Sequence, residues 1–150
     1  DGYTVTEDLK KESPDYYNIL TEVKVRFKFT DKEVELESWS ELIQLDEQKN
    51  FKQVRFSTRL DYVPILDKKK LDLYYKARKK LSDLYNSKKY RIEFKLIPGD
   101  LLMMDNYRSL HGRTSFDASQ GNRFLQGCYI DYDSTEGKLR YLTKKFNINA

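Results

Sequence analysis

The stretch 67–86 limits the fold most, because its residues have the spacing of one amphipathic helix. Apolar residues recur there every three or four positions, and the residues between them are mostly Lys, Arg and Asp. The apolar set is Leu71, Tyr74, Tyr75, Ala77, Leu81, Leu84 and Tyr85. A helix with one apolar side is stable only when another layer of structure covers that side. The rest of the chain must therefore supply that layer.

Several segments alternate apolar and polar residues, a pattern typical of half-buried strands. The clearest is 23–29, where Val and Phe alternate with Lys and Arg. A polar turn at 46–50 joins two short apolar runs and indicates a hairpin. We expect strands at 23–29, 42–45, 54–56, 90–96, 101–104, 109–113 and 123–132. We expect shorter helices at 6–12, from Pro14 onward and at 135–146.

This order of elements predicts an α+β chain that is mainly β, with the long helix packed on a sheet. The length of 150 residues corresponds to a single domain. No run of about 18 apolar residues occurs, which excludes a membrane-spanning helix. The single cysteine excludes an internal disulfide, and the single histidine excludes a metal site that needs two histidines of this chain.

The net charge of +4 is concentrated in residues 67–88, which contain eight Lys or Arg and three Asp. We interpret this basic stretch as the solvated face of the long helix, opposite its apolar side. A nucleic-acid binder usually adds groups that stack on bases or read a groove. We therefore expect neither nucleic acid nor a membrane as a partner.

Residues 98–133 contain the side chains best suited to chemistry. His111 could bind a metal through a neutral imidazole, and Arg123 could pair with a carboxylate in a bidentate way. Tyr129 has an aromatic face that can hold a cation. In a strand over 123–132, Arg123 and Tyr129 would share one face, because they are six positions apart. These residues alone also allow a purely structural histidine and a surface ion pair.

The same stretch contains a longer motif, DNYR at 105–108 followed by LHGR at 110–113. It resembles the DNWRxLHGR motif of the γ-butyrobetaine and trimethyllysine dioxygenases. These are Fe(II)- and 2-oxoglutarate-dependent hydroxylases similar to taurine dioxygenase. Further segments that resemble the γ-butyrobetaine enzymes are 1–3, 9–20, 75–100 and 127–133.

The resemblance implies the C-terminal part of a double-stranded β-helix, or jelly roll, in which two histidines and one carboxylate hold Fe(II). It implies that His111 is the second of those histidines and that Arg123 pairs with the distal carboxylate of 2-oxoglutarate. Tyr129 matches one member of an aromatic cage that binds a trimethylammonium group by cation–π attraction. Asn106 and Arg113 match motif positions expected to support the iron ligand.

The implied activity is hydroxylation of γ-butyrobetaine to L-carnitine, with 2-oxoglutarate as co-substrate and ascorbate as reductant. Residues 127–133 are closer to the γ-butyrobetaine enzymes than to the trimethyllysine enzymes, which are the alternative. Ser57 stands where the γ-butyrobetaine enzymes have an asparagine that contacts the substrate carboxylate. This departure weakens the assignment of γ-butyrobetaine as the substrate, because serine is shorter and has a single hydroxyl.

The family takes its first histidine and its carboxylate from a His-x-Asp motif that precedes the segment matching residues 1 and 2. His111 is the single histidine here, so this chain offers one ligand. We therefore expect residues 1–150 to be one C-terminal fragment of the oxygenase catalytic domain, without its N-terminal part. We also expect the isolated chain to be inactive, since one imidazole is too few to fix Fe(II).

A non-catalytic alternative also follows from the resemblance. The chain could be a binding or dimerisation module derived from the fold, with a partner surface on helix 67–86 and the terminal strands. The γ-butyrobetaine interpretation implies a cytoplasmic homodimer, whereas the trimethyllysine interpretation implies a mitochondrial enzyme.

Overall fold

The computed structural model of the chain describes residues 1–115, 117, 119, 121 and 124–148. Residues 1–112 and 113–150 form two compact units. The first unit contains α1 (Gly2–Glu12), α2 (Pro14–Glu22), β1 (Val25–Thr30), β2 (Glu35–Ser40), β3 (Ile43–Leu45), β4 (Phe51–Val54) and α3 (Lys68–Asn86). The second unit contains α4 (Tyr132–Lys145). Within these described ranges, no helix is both long enough and apolar enough to cross a membrane.

The first helix begins at Gly2, not at residue 6 as the sequence predicts. Asp1 causes the earlier start, because its Oδ1 accepts a hydrogen bond from the backbone N–H of Tyr3 at 3.1 Å. This bond satisfies one of the free amide groups at the helix start. The predicted start of α2 at Pro14 is confirmed, since the fixed φ of proline suits the first helical position.

The strands form two separate antiparallel hairpins, β1 with β2 and β3 with β4. The predicted strand at 23–29 is confirmed as β1. The predicted hairpin around 46–50 is also confirmed, although its second strand lies at Phe51–Val54 instead of 54–56. The sequence did not predict β2.

The long helix predicted at 67–86 is confirmed as α3, but its packing differs from the expectation. It packs mainly against α1 and α2 instead of a sheet. A helix of 19 residues is about 28 Å long, whereas a two-stranded hairpin is only about 10 Å wide. The helices therefore cover one another. The fully buried core side chains are Val5, Leu9, Leu20, Val25, Leu42, Ile43, Tyr74, Ala77 and Leu81.

The strands predicted at 90–96, 101–104, 109–113 and 123–132 are not present, since the described part of 91–131 contains no strand. Ile92 is 83% exposed and Phe94 is 59% exposed. A strand needs a continuous row of hydrogen bonds to a neighbouring backbone. Among the described residues, the backbone of this stretch makes single hydrogen bonds, such as that from Val54 to Tyr107, and no such row. The expectation of a mainly β chain is therefore wrong for this structure, in which helices of 9 to 19 residues accompany strands of 3 to 6 residues. The α+β class itself is confirmed.

The closing helix predicted at 135–146 is confirmed as α4, which begins at Tyr132. Its residues are exposed or half-buried, and none is fully buried. An ion pair between Arg140 and Glu136 at 2.7 Å joins successive turns. Such a pair, one turn apart, adds a few tenths of a kcal/mol to helix stability, about 0.3–0.5 kcal/mol.

Candidate functional site

The motif segment 105–110 is held in place by two elements of the first unit. The carbonyl oxygen of Tyr107 accepts a hydrogen bond from the backbone N–H of Val54 in β4 at 3.0 Å. The carbonyl oxygen of Arg108 accepts one from the N–H of Gly2 in α1 at 2.7 Å. Asp105 closes a turn at the start of the segment, since its Oδ1 accepts a hydrogen bond from the backbone N–H of Tyr107 at 2.8 Å. Two successive carbonyl groups of the motif are therefore fixed.

An ion pair reinforces the contact with α1. Arg108 donates from Nε to Oδ1 of Asp1 at 3.0 Å and from Nη2 to Oδ2 at 2.9 Å. The guanidinium also lies over the ring of Tyr3, 5.2 Å from its centre. Arginine suits this position because its planar fork matches a carboxylate in a bidentate way. The sequence analysis did not identify Asp1 or Arg108 as a pair, because 107 positions separate them.

Gly2 allows the close approach of α1 to the motif. A Cβ atom at this position would lie 2.6 Å from the carbonyl oxygen of Arg108 and 2.6 Å from Cγ2 of Val54. Both distances are shorter than real Cβ contacts, so a larger residue would push the motif away from the helix. The glycine is therefore required by packing, since the backbone of α1 is helical here.

His111 follows this anchored segment, and its side chain is exposed. Leu110, the residue before it, packs against the hydrophobic core. Asn106 lies in the same segment and is also exposed. Asn106 therefore lies within the anchored stretch of the first unit, and His111 directly follows that stretch with an exposed side chain.

The donor set of the described residues fits one ligand position of an iron site, and not a complete site. An exposed neutral imidazole suits Fe(II). Across the part of the chain that the structure describes, no group of three or more His, Cys, Asp or Glu residues could hold a metal ion. A site with two histidines and a carboxylate needs two further ligands besides His111.

The remaining predicted site residues belong to the second unit. Arg113 is exposed, and Tyr129 is 88% exposed. The strand that would have carried Tyr129 is not formed, so its predicted place in a cavity wall stays a prediction. Arg123 lies outside the described residues, and so does its predicted pairing with a carboxylate.

A second polar cluster, which the sequence analysis missed, lies where α3 meets residues 56–61. Arg78 pairs with Asp61 at 2.7 Å and donates to the carbonyl oxygen of Ser57 at 2.9 Å. The guanidinium lies 5.0 Å from the ring centre of Phe56. Burial raises the pKa of the neighbouring Tyr74 to about 12. A small cavity of about 180 Å³ opens beside these residues.

A hydrogen-bonded group also fixes the start of the segment that leads to the motif. Asp8 in α1 accepts from Nζ of Lys89 at 2.8 Å and from the hydroxyl of Tyr90 at 2.6 Å. These bonds lower the pKa of the Asp8 carboxyl, and the bond to Asp8 raises the pKa of Lys89. Helix α1 therefore contacts the stretch 90–110 near both ends of that stretch, through Asp8 at Tyr90 and through Gly2 at Arg108.

A groove in the first unit lies apart from the predicted site. It has a volume of about 660 Å³ and lies between α2, Trp39 and the beginning of α3. Ile19, Ile65 and Leu73 supply apolar walls, and none of the predicted site residues lines it.

Comparison with known families supports the motif assignment. The family described as "Taurine catabolism dioxygenase TauD, TfdA family" matches residues 1–129. The matched range contains all five predicted site residues: Asn106, His111, Arg113, Arg123 and Tyr129.

Curated relatives agree with this match. The chain is 34% identical over 152 residues to γ-butyrobetaine dioxygenase of Homo sapiens, which covers 97% of the chain and 39% of that protein. It is 28% identical over 144 residues to γ-butyrobetaine dioxygenase of Pseudomonas sp. (strain AK-1), covering 96% of the chain and 38% of the relative. It is 24% identical over 155 residues to the mitochondrial trimethyllysine dioxygenase of Gallus gallus, covering 95% and 35%. The chain thus spans less than two fifths, 35% to 39%, of the length of these relatives. The predicted resemblance is confirmed.

Proposed function

Because this chain belongs to the TauD/TfdA dioxygenase family, we propose that it is the C-terminal part of an Fe(II)- and 2-oxoglutarate-dependent hydroxylase of a trimethylammonium compound. The observation that carries this proposal is the 34% identity to γ-butyrobetaine dioxygenase over 97% of the chain. The exposed His111, which directly follows the anchored segment 105–110, supports it.

The exposed apolar residues of 91–131 support the proposal that this segment is part of a larger sheet in the whole enzyme. Ile92, Leu101, Met103 and Phe124 are each more than 80% exposed, which is unusual for so many large apolar side chains in one segment. In the proposed enzyme these residues form strands of a double-stranded β-helix, paired with strands from outside residues 1–150. The same outside part supplies the His-x-Asp motif.

Each predicted site residue has one role in this proposal. His111 contributes one imidazole to the iron. Bound Fe(II), with 2-oxoglutarate and O₂, supplies the oxidising power to hydroxylate an unactivated C–H bond, and ascorbate keeps the metal reduced. Arg123 binds the distal carboxylate of 2-oxoglutarate through a charge-assisted bidentate contact.

The other residues act on the substrate or on the motif. Tyr129 presents its ring to the trimethylammonium group, which is attracted by the negative face of the aromatic system. Asn106 and Arg113 match motif positions whose role in the proposed enzyme is to support His111 as an iron ligand.

We propose γ-butyrobetaine as the substrate and trimethyllysine as the alternative. The test is a steady-state assay of the full-length protein with each compound, in which succinate and the hydroxylated product are measured. A kcat/KM at least about tenfold higher for γ-butyrobetaine, or about 1.4 kcal/mol of transition-state preference, would support the first. A preference for trimethyllysine would select the alternative, for which we propose a mitochondrial location, and activity on neither would refute both.

The 150-residue chain by itself should make no succinate, because it offers one ligand. Succinate above a His111→Ala control would refute this part. A full-length protein without turnover that still binds a protein partner would instead favour the non-catalytic module. We further propose a cytoplasmic homodimer for the γ-butyrobetaine enzyme.

A further inference from the structure

We propose that Asp1 and Arg108 form a clamp whose role is to position the backbone that leads to His111. We call these two residues the Asp1–Arg108 clamp. The inference rests on the proposed function, in which His111 is a metal ligand, and it assigns a positioning role to two residues outside the predicted ligand set.

The carboxylate of Asp1 is fully engaged and therefore fixed in direction. Its Oδ1 accepts from Nε of Arg108 and from the backbone N–H of Tyr3. Its Oδ2 accepts from Nη2 of Arg108 and from the hydroxyl of Thr4 at 2.9 Å. The guanidinium is thus joined to the first turn of α1, with little freedom to rotate.

The exposure of the pair separates positioning from stability. The side chain of Arg108 is 52% exposed and that of Asp1 is 36% exposed. Exposed ion pairs contribute only about 0–1 kcal/mol to folding, because water screens the charges. The pair lies beside two backbone hydrogen bonds from different elements, so we expect its loss to loosen the motif more than it lowers the stability of the fold.

The two backbone hydrogen bonds that fix the motif connect the clamp to the position of His111. The carbonyl groups of Tyr107 and Arg108 are bound by Val54 and Gly2. Three residues of extended chain span at most about 10 Å, so the Cα atom of His111 lies within about 10 Å of the Cα atom of Arg108. The packing of Leu110 against the core removes further freedom.

The absence of a side chain at Gly2 fits the same role. Any Cβ there would meet the carbonyl oxygen of Arg108 at 2.6 Å, so glycine lets α1 touch the motif backbone directly. Groups that orient a metal ligand affect metal affinity by about 10- to 100-fold when they are removed. A loosened clamp should therefore weaken metal binding in a protein that is still folded.

The test uses the full-length protein with Arg108→Gln, Arg108→Lys and the control Asp83→Asn. The control breaks the pair of Lys79 and Asp83, whose side chains are 77% and 60% exposed and lie in α3 away from the motif. Two quantities are measured at a temperature where circular dichroism shows every variant to be folded. They are amide hydrogen exchange of peptides covering 105–110 and the dissociation constant for Mn(II) alone.

We expect Arg108→Gln to speed exchange of 105–110 and to raise the Mn(II) dissociation constant by about tenfold. Arg108→Lys, which keeps the charge but loses the bidentate contact, should lie between Gln and the wild type. Asp83→Asn should change neither quantity. Unchanged exchange and affinity in Arg108→Gln, or equal changes in the control, would overturn the clamp.

The clamp and the proposed function can fail separately. If the wild-type protein makes no succinate but binds Mn(II) through His111, the activity is wrong and the Arg108 variants still decide the clamp. If His111→Ala binds Mn(II) as tightly as the wild type, the positioning role is overturned whatever the activity.

Discussion

The guanidinium of Arg78 holds the carboxylate of Asp61 through Nε at 2.9 Å and Nη2 at 2.7 Å. The Asp61 side chain is 6% exposed and that of Arg78 is 24% exposed, so water screens this pair weakly. Asp61 also forms an isolated antiparallel bridge with Phe27 of β1. The pair therefore ties α3 to the outer edge of the first hairpin.

Asp61→Asn should lower the free energy of unfolding by about 2–3 kcal/mol. Breaking one partner of a fully buried pair costs about 3–5 kcal/mol because a buried charge is left uncompensated, and the partial exposure of Arg78 reduces this figure. Urea denaturation of the wild type and the variant measures the difference. Asp83→Asn, which breaks an exposed pair on the same helix, should cost less than about 1 kcal/mol. If both substitutions lowered the free energy of unfolding equally, burial would not be the reason that the Arg78–Asp61 pair stabilises the fold.

Two glycines should respond to alanine in opposite directions. Gly2→Ala should destabilise the protein by about 1–3 kcal/mol, because the new Cβ overpacks against the motif and β4. Gly137 lies inside α4 with no atom within 4 Å of an added Cβ. Gly137→Ala should therefore stabilise α4 by about 0.5–1 kcal/mol. Thermal unfolding followed by circular dichroism compares the two, and a stabilising Gly2→Ala would contradict the close approach.

The Asp8 group should contribute to stability at neutral pH and lose its contribution in acid. Its hydrogen bonds to Lys89 and Tyr90 lower the pKa of Asp8 below the ordinary 3.8. A carboxyl with a lowered pKa stabilises the fold above its unfolded pKa, and the effect disappears as pH falls through the folded pKa. Urea midpoints of the wild type should exceed those of Asp8→Asn at neutral pH and converge with them below about pH 4. A constant difference across this range would count against the proposed titration.

Removing the hydroxyl of Tyr85 should not harm the protein. This buried hydroxyl has no hydrogen-bond partner in the described structure, and its ring packs edge-on against Phe56 with centres 5.4 Å apart. Tyr85→Phe keeps the ring and removes an unsatisfied polar atom, so we expect a gain of up to about 1 kcal/mol.

An alkaline titration adds a second measurement on the same variant. Burial raises the pKa of Tyr85, so the neutral phenol favours the fold and stability falls as pH rises above about 10. Tyr85→Phe should therefore lose less stability than the wild type in this range. Tyr75→Phe serves as the control, because it removes a hydroxyl from a tyrosine of the same helix whose side chain is 44% exposed. If the Tyr85→Phe variant were less stable than the wild type at every pH, the hydroxyl of Tyr85 would have to make a stabilising hydrogen bond, and the prediction would be wrong.

The elements that could be predicted from sequence are those that local pattern determines. Helix α3 has 19 residues whose apolar side chains keep helical spacing throughout. The hairpin of β3 and β4 could be predicted because the turn at 46–50 consists of polar residues. Strand β2 could not be predicted, because its apolar residues, Leu36 and Trp39, are three positions apart and do not follow the alternation of a strand. Its pairing with β1 comes from tertiary contact.

The failed strands of 91–131 show the limit of periodicity. Alternation describes which side chains would be buried if a neighbouring strand were present, and it does not supply that neighbour. The same holds for the site. The motif predicts His111 as a ligand, and this stays a prediction, whereas the proposed clamp joins Asp1 and Arg108, which no local pattern connects.

We propose that His111 is an iron ligand in a 2-oxoglutarate-dependent dioxygenase of which this chain is a part. The most direct measurement is succinate formation by the full-length protein with Fe(II), 2-oxoglutarate and γ-butyrobetaine, compared with His111→Ala at matched folding. We predict turnover in the wild type and a loss of at least about 100-fold in His111→Ala, equivalent to about 2.7 kcal/mol. Equal turnover of the two proteins would contradict the claim.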